Sequence, residues 1–184
     1  MHYIFSIEGN IGSGKSKFLK YLKTTYTYIK NYEVKYIFEP VDEWNSIKDK
    51  HETIIEKFYK NTKKYSFSFQ MMAYISKISA LKKCIEENKN KNIIIICERC
   101  VFTDKNVFAQ MLYDKGDIEH VNFQIYMKWF DEFLKETPIS GYIYIKTTPE
   151  ICLSRIHKRN RDGEEGIPLE YLIKCESYHN EWLN

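Results

Sequence analysis

Eight residues near the start of the chain, Gly9-Asn10-Ile11-Gly12-Ser13-Gly14-Lys15-Ser16, have the types and spacing to hold a chain of phosphates. Three of the seven glycines fall here, where a flexible backbone can turn N–H groups inward toward phosphate oxygens. A helix opening at Lys15 would add the positive end of its dipole. Lys15 can then reach the β- and γ-phosphates, and the Ser16 hydroxyl can serve Mg2+.

Three further groups could complete the chemistry. Glu39-Pro40-Val41-Asp42-Glu43-Trp44 follows a second apolar run, and Glu98-Arg99 follows a third. At the C-terminal edge of parallel strands, Glu39 could take a hydroxyl proton, Glu98 could hold Mg2+ directly or through water, and Arg99 could hold a phosphoryl oxygen. Arg155 and Arg159 lie four apart on one helical face, and Arg161 extends the cluster into the next loop. Three like charges repel, so this stripe is expected to close as a lid over an incoming polyphosphate. The chain has 24 lysines and only these four arginines. Abundant Lys, Asn, Ile and Tyr suggest an A+T-rich coding sequence, in which arginine survives where a planar fork of donors is needed.

The elements that must position these groups follow from periodicity. Tyr3–Ile7, Lys35–Phe38, Ile93–Cys97 and Tyr142–Lys146 read as short buried strands. Helices are expected at Lys15–Tyr28, Ser66–Glu87, Thr103–Tyr113, Asn122–Lys135, Pro149–Arg159 and Leu169–Leu183, with a loop over Asn160–Gly166. Alternating strands and helices make this α/β, a parallel sheet with helices on both faces. One domain accounts for residues 1–184.

Composition excludes other classes. Hydrophobic residues are 43% and aromatics 16%, enough for a core. A net charge of +3 is too mild to indicate a nucleic-acid binder. No apolar stretch nears the ~20 residues of a membrane span, and the first ten residues lack a signal peptide's basic region. Cys97 and Cys100 have no second pair, so the five cysteines read as reduced thiols. The expectation is a soluble cytoplasmic protein with no membrane or nucleic-acid partner.

Six segments together are similar to the deoxyribonucleoside kinase family, especially its deoxycytidine and deoxyguanosine kinases. They are GNIGSGKS, EPVDEW, FYKNTKKYSFSFQ, ERCVFTD, the Tyr126–Trp129 pair and RIHKRNRDGEEGIPLEYL. The resemblance runs from Ile4 to Leu183 and implies a P-loop NTPase fold with an arginine-rich lid over about 155–166. It implies transfer of the γ-phosphoryl of ATP, or another nucleoside triphosphate, to a deoxynucleoside 5′-hydroxyl with Mg2+. Glu39 would be the general base, Arg99 would position the 5′-hydroxyl and phosphoryl group, and Glu98 would support Mg2+. Gln70 would contact the base edge and Phe108 would stack on it, with Trp44, Phe58 and Phe69 lining the pocket. Tyr59 and Glu164 would hold the sugar 3′-hydroxyl, and a homodimer is implied.

Asp104 stands where these relatives read an exocyclic amino group, which favours deoxycytidine or a purine deoxynucleoside over thymidine. The alternative is an ordinary helix-start residue after Thr103. Lys77 replaces the usual arginine partner, Cys100 a serine, and Gly163 the first of two lid glutamates. Family members continue beyond the last helix with a further strand, which the chain is expected to lack. Alternatives are a thymidine-preferring or broad-specificity kinase, a thymidylate-type nucleotide kinase and a non-catalytic scaffold. The nucleotide kinase would need an arginine where Phe38 stands, and a scaffold could have lost Lys15, Glu39 or the lid arginines.

Overall fold

The computed structural model describes residues 1–133 and 138–184. The chain opens with β1 (His2–Glu8) and the phosphate-loop turn, from which α1 (Lys15–Thr25) starts. The helix stops short of Tyr28 because the Thr24 and Thr25 hydroxyls turn back onto the Tyr21 carbonyl at 2.9 and 2.8 Å, weakening its last turn. The short β2 (Tyr28–Ile29) then folds back antiparallel onto β3 (Tyr32–Ile37).

Periodicity left the next segment unread, and it holds four short elements: α2 (Val41–Ser46), β4 (Lys48–Asp49), β5 (Glu52–Thr53) and α3 (Ile54–Lys60). A capping box starts α3: Thr53 Oγ1 accepts from Glu56 N at 3.2 Å, and Glu56 Oε2 accepts from Thr53 N at 2.7 Å. The long α4 (Thr62–Glu87) begins four residues before the expected Ser66, because the Asn61 side chain caps it by accepting from Lys64 N at 3.1 Å.

β6 (Ile93–Glu98) follows. Then α5 (Val101–Thr103), a π-helical stretch (Asp104–Ala109) and α6 (Gln110–Asp114) run on as one helix. The chain continues through α7 (His120–Phe133), β7 (Gly141–Tyr144), α8 (Pro149–Arg159) and α9 (Leu169–Leu183). Positions 134 and 135 of the helix expected over Asn122–Lys135 lie outside the described residues. Pro149 opens α8, where a missing N–H costs nothing.

The sheet order is β2-β3-β6-β1-β7. Every pairing in it except β2 with β3 is parallel, so the expected parallel sheet acquires one antiparallel edge. Isoleucines dominate β6 because both of its faces are covered. Ile93, Ile95 and Cys97 pack with Ile4 and Leu81 of α4 on one side; Ile96 packs with Ile7, Val34 and Leu19 of α1 on the other. Register then places the chemistry: Ile7 lies opposite Glu98, and Ile37 opposite Cys97. The phosphate loop, Glu39 and Arg99 therefore leave three adjacent strands at one level, along one crevice.

Candidate active site

One cleft of about 590 Å³ runs along that crevice. It is lined by Ile11, Gly12, Gly14, Lys15 and Ser16 at the phosphate loop, and by Glu39, Glu98 and Arg99 at its centre. Trp44, Phe58, Tyr59, Phe69, Gln70, Lys77, Asp104 and Phe108 line the end beyond, and Arg155, Arg159, Arg161 and Glu164 line the mouth. Of the expected phosphate-loop residues, only Gly9, Asn10 and Ser13 stay behind its wall. The Asn10 side chain instead anchors the loop to α9, donating to the Leu172 carbonyl at 2.8 Å.

The loop needs its glycines for approach as well as for shape. Gly12 has φ +78°, and a Cβ there would sit 2.5 Å from the Cys152 carbonyl oxygen. That contact brings α8, with its arginines, directly against the loop. Lys15 is buried, and its ammonium donates to the Asn10 carbonyl at 2.7 Å. Burial, reinforced by the nearby Arg99 charge, lowers its pKa to about 7. Ser16 Oγ donates to Glu98 Oε1 at 2.5 Å, placing a hydroxyl and a carboxylate side by side at the loop's edge.

Arg99 is the hub. Its Nη1 donates to both Glu39 carboxylate oxygens at 3.0 Å, and Nη2 donates to the Gly9 carbonyl at 3.2 Å. Its guanidinium carbon lies 5.1 Å from the Phe108 ring centre, a cation–π contact. Burial would raise the Glu39 pKa, but the charges of Arg99, Lys77 and Lys15 outweigh it and hold the carboxyl well below its usual range. Glu39 is therefore an anion at any neutral pH.

Beyond Glu39, α4 presents Gln70, Ala73 and Lys77 on one buried face, as their spacing implied. Lys77 Nζ lies 2.6 Å from Asp104 Oδ1 and 3.5 Å from Glu39 Oε1. Asp104 is thus more than a helix-start residue: it is buried in an ion pair, and burial pushes its pKa up to about 6. Gln70 Oε1 and Asp104 Oδ2 are buried with no hydrogen-bond partner. Phe58 and Phe69 stack at 4.6 Å, Trp44 meets Phe69 edge-on at 5.6 Å, and the Trp44 indole donates to Ser76 Oγ at 2.8 Å. This is a flat aromatic slot with polar acceptors at its end.

The lid corrects one expectation. Its arginines do not form a self-repelling stripe, because charge counting along the helix missed a carboxylate three residues past Arg161. Glu164 pairs with Arg159, and with Arg161 at 3.1 Å, while Arg155 Nη1 donates to the Ser13 carbonyl at 2.9 Å. Gly163, at φ +84°, sets the loop against the start of α3: a Cβ would lie 3.0–3.2 Å from Glu56 atoms. The glycine that replaces a family glutamate is thus a close-packing site.

Tyr171 and Ile55 also line the cleft and were not singled out from sequence. Tyr171 is one of 15 tyrosines, and nothing in its spacing separates it from the apolar face of α9. Ile55 lies in the segment whose helix was too short to show a period. No cluster of three or more metal-ligating His, Cys, Asp or Glu occurs among the described residues, and no described helix is long and apolar enough to cross a membrane.

Comparison with known proteins agrees with this geometry. A family model described as deoxynucleoside kinase matches residues 5–184. The chain is 33% identical to deoxycytidine kinase 1 of Xenopus laevis, over 97% of its own length and 73% of that protein. It is 35% identical to human deoxycytidine kinase, over 97% of its length and 74% of that protein. It is 29% identical to the mitochondrial deoxyguanosine kinase of Xenopus laevis, over 97% and 72%. A phosphate-loop crevice, an anionic Glu39 beside Arg99 and a nearly full-length match lead to one conclusion: the chain belongs to the deoxynucleoside kinase family, phosphotransferases that move a phosphoryl group from a nucleotide donor to a hydroxyl.

Proposed function

We propose that this chain transfers the γ-phosphoryl of ATP, or another nucleoside triphosphate, to the 5′-hydroxyl of a deoxynucleoside, with deoxycytidine or a purine deoxynucleoside preferred to thymidine. The observation that carries the preference is the pair of buried, unpartnered acceptors, Gln70 Oε1 and Asp104 Oδ2, at the closed end of the aromatic slot. Each needs a donor to offset its burial. An exocyclic amino group supplies one; a thymine carbonyl at that place would meet the Asp104 carboxylate with repulsion.

The mechanism follows from position. The aromatic slot of Trp44, Phe58, Phe69 and Phe108 holds the base flat, and Tyr59 and Glu164 receive the sugar. Glu39 accepts the 5′-hydroxyl proton, and being fully ionised it is always ready to do so. Arg99, freed from its bond to Glu39 as the hydroxyl arrives, stabilises charge on the transferring phosphoryl group. Lys15 and the loop N–H groups of Gly9–Ser16 hold the donor's phosphates, and Arg155, Arg159 and Arg161 close over them. The Ser16 hydroxyl and Glu98 carboxylate are hard oxygen donors 2.5 Å apart beside that loop, a set that fits Mg2+. When bound, Mg2+ would neutralise charge on the donor phosphates.

Lys15 gives the reading a pH signature. Half-protonated near pH 7 in the free site, it must be fully protonated against a triphosphate. The bound state therefore binds more protons, so nucleotide affinity should fall as pH rises above 7, by up to about tenfold per unit. Calorimetry at pH 8 in buffers of different ionisation heat should show uptake of close to one proton per ATP bound. No uptake would remove the assignment.

We read residues 1–184 as one kinase domain whose lid spans about 155–166, and we extend the reading to a cytoplasmic homodimer. Val121, Ile125 and Trp129 make an exposed apolar stripe at four-residue intervals on α7, which supports self-association; a light-scattering mass of one 22.2 kDa chain would sink it. Five free cysteines suit a reducing compartment. The activity itself is tested by kcat/KM for the four deoxynucleosides with Mg-ATP. The reading expects deoxycytidine or a purine deoxynucleoside to lead; thymidine leading would overturn the preference, and no turnover with any of them the activity.

A further inference from the structure

Glu8, the last residue of β1, is a fully buried carboxylate that the mechanism above does not use. Its Oε1 accepts from Ser6 Oγ at 2.5 Å, from Cys100 N at 3.2 Å and from the Cys100 thiol at 3.4 Å. Its Oε2 accepts from Thr103 Oγ1 at 2.6 Å. Every one of these partners is neutral. A buried anion held this way is costly unless its bonds are all made, so the arrangement needs a reason beyond filling space.

The reason lies between its partners. Arg99 has φ +57°, the left-handed region, and among the described residues is the buried member of the four non-glycine residues that adopt it. An L residue there is strained unless its surroundings hold it. The two N–H groups that flank the Arg99 Cα are both caught by β1: Arg99 N donates to the Ile7 carbonyl at 3.0 Å, and Cys100 N to the Glu8 carboxylate. Thr103, donating to Glu8 and accepting from Cys100 N at 3.3 Å, locks the following turn in place. The negative charge of Glu8 is also felt at both Lys15 and Arg99.

We propose that Glu8 is a positioning residue for phosphoryl transfer: its carboxylate holds the turn on either side of Arg99, so that the guanidinium is presented to Glu39 and the phosphate loop. The proposal rests on the kinase reading for its effect on rate, but not for its effect on Arg99. Glu8→Gln replaces one of the two carboxylate oxygens by an NH2 group, so either the Thr103 hydroxyl must turn to accept or the Cys100 N–H and Ser6 hydroxyl face another donor. We expect kcat to fall roughly 10–10²-fold, the cost of a misplaced catalytic group, with KM for both substrates changed less than about threefold. Thr103→Val should reproduce part of the loss, and Thr103→Ser, which keeps the hydroxyl, should retain activity. In an Arg99→Lys background Glu8→Gln should have little further effect.

A second readout needs no turnover. With four arginines in the chain, the side-chain Nε–H region of a nitrogen–proton spectrum holds four signals, and Arg99→Lys identifies one. Glu8→Gln, or Thr103→Val if the first variant does not fold, should shift that signal and speed its exchange. An unmoved Arg99 signal, or rate losses that multiply in the double variant, would overturn the proposal and leave Glu8 as a helix cap. A wild-type protein inactive on all deoxynucleosides would instead remove the kinase reading, and the Arg99 signal would still decide the role of Glu8.

Discussion

Glu39→Gln is expected to cut kcat by roughly 10²–10⁴-fold, the contribution of a placed general base. The amide has the size of the carboxylate but cannot take the hydroxyl proton. The deoxynucleoside should still bind, because the aromatic slot, Gln70 and Asp104 are untouched, so its KM should stay within about threefold. The surroundings sharpen the expectation. Arg99 Nη1 donates to both carboxylate oxygens, and Lys77 lies 3.5 Å from one of them. The variant leaves two buried cations short of an anion, and Lys77 falls back on Asp104 alone. Arg99→Lys should therefore add less to Glu39→Gln than it costs by itself. Single-turnover kinetics separate the chemical step from binding; a near-normal rate in Glu39→Gln would require another proton acceptor.

Asp104→Ala should reorder the acceptors. The free Oδ2 would receive one hydrogen bond from an exocyclic amino group, worth roughly 1.5–3 kcal/mol for a charged acceptor, or about 10–10² in kcat/KM. Thymidine should improve as the repulsion disappears, so the ratio of deoxycytidine to thymidine should drop by about 10²–10³. One side effect is foreseeable. Lys77 loses its 2.6 Å partner and is left with Glu39 as its nearest carboxylate, which would draw the ammonium toward the reacting centre. Asp104→Ala combined with Lys77→Met removes that stranded charge. The double variant should recover turnover on thymidine while keeping the new ranking. An unchanged ranking in both variants would show that base choice resides elsewhere.

Placements that depend on neighbours in the chain were legible in the sequence. The phosphate loop is contiguous, Glu39 and Glu98-Arg99 directly follow apolar strands, and Gln70 and Lys77 share a face because seven residues are two helical turns. Placements that depend on distant contacts were not. Glu8 looks like the end of a strand; its partners Cys100 and Thr103 are 92 and 95 positions away. The resemblance makes Glu164 a sugar ligand, yet in the folded chain its carboxylate pairs with two lid arginines. The short helices α2 and α3 were missed because neither is long enough to show a period, and both are fixed by packing and capping. The departure at Gly163 was visible as a missing glutamate, but its close approach to Glu56, more than a hundred positions away in sequence, arises only in the folded chain.

The π-helical stretch Asp104–Ala109 gives this wall of the cleft a tolerance in chain length. A π turn holds one residue more than the α turn it replaces. Asp104 at its start and Phe108 near its end both line the cleft. Four residues apart, they would share a face of an ordinary α-helix as well. Deleting one position between them would let α pairing resume and leave them three apart, still neighbours on one face. The same deletion between Gln70 and Lys77 in α4 has no such slack, and would rotate one of that pair by about 100° relative to the other.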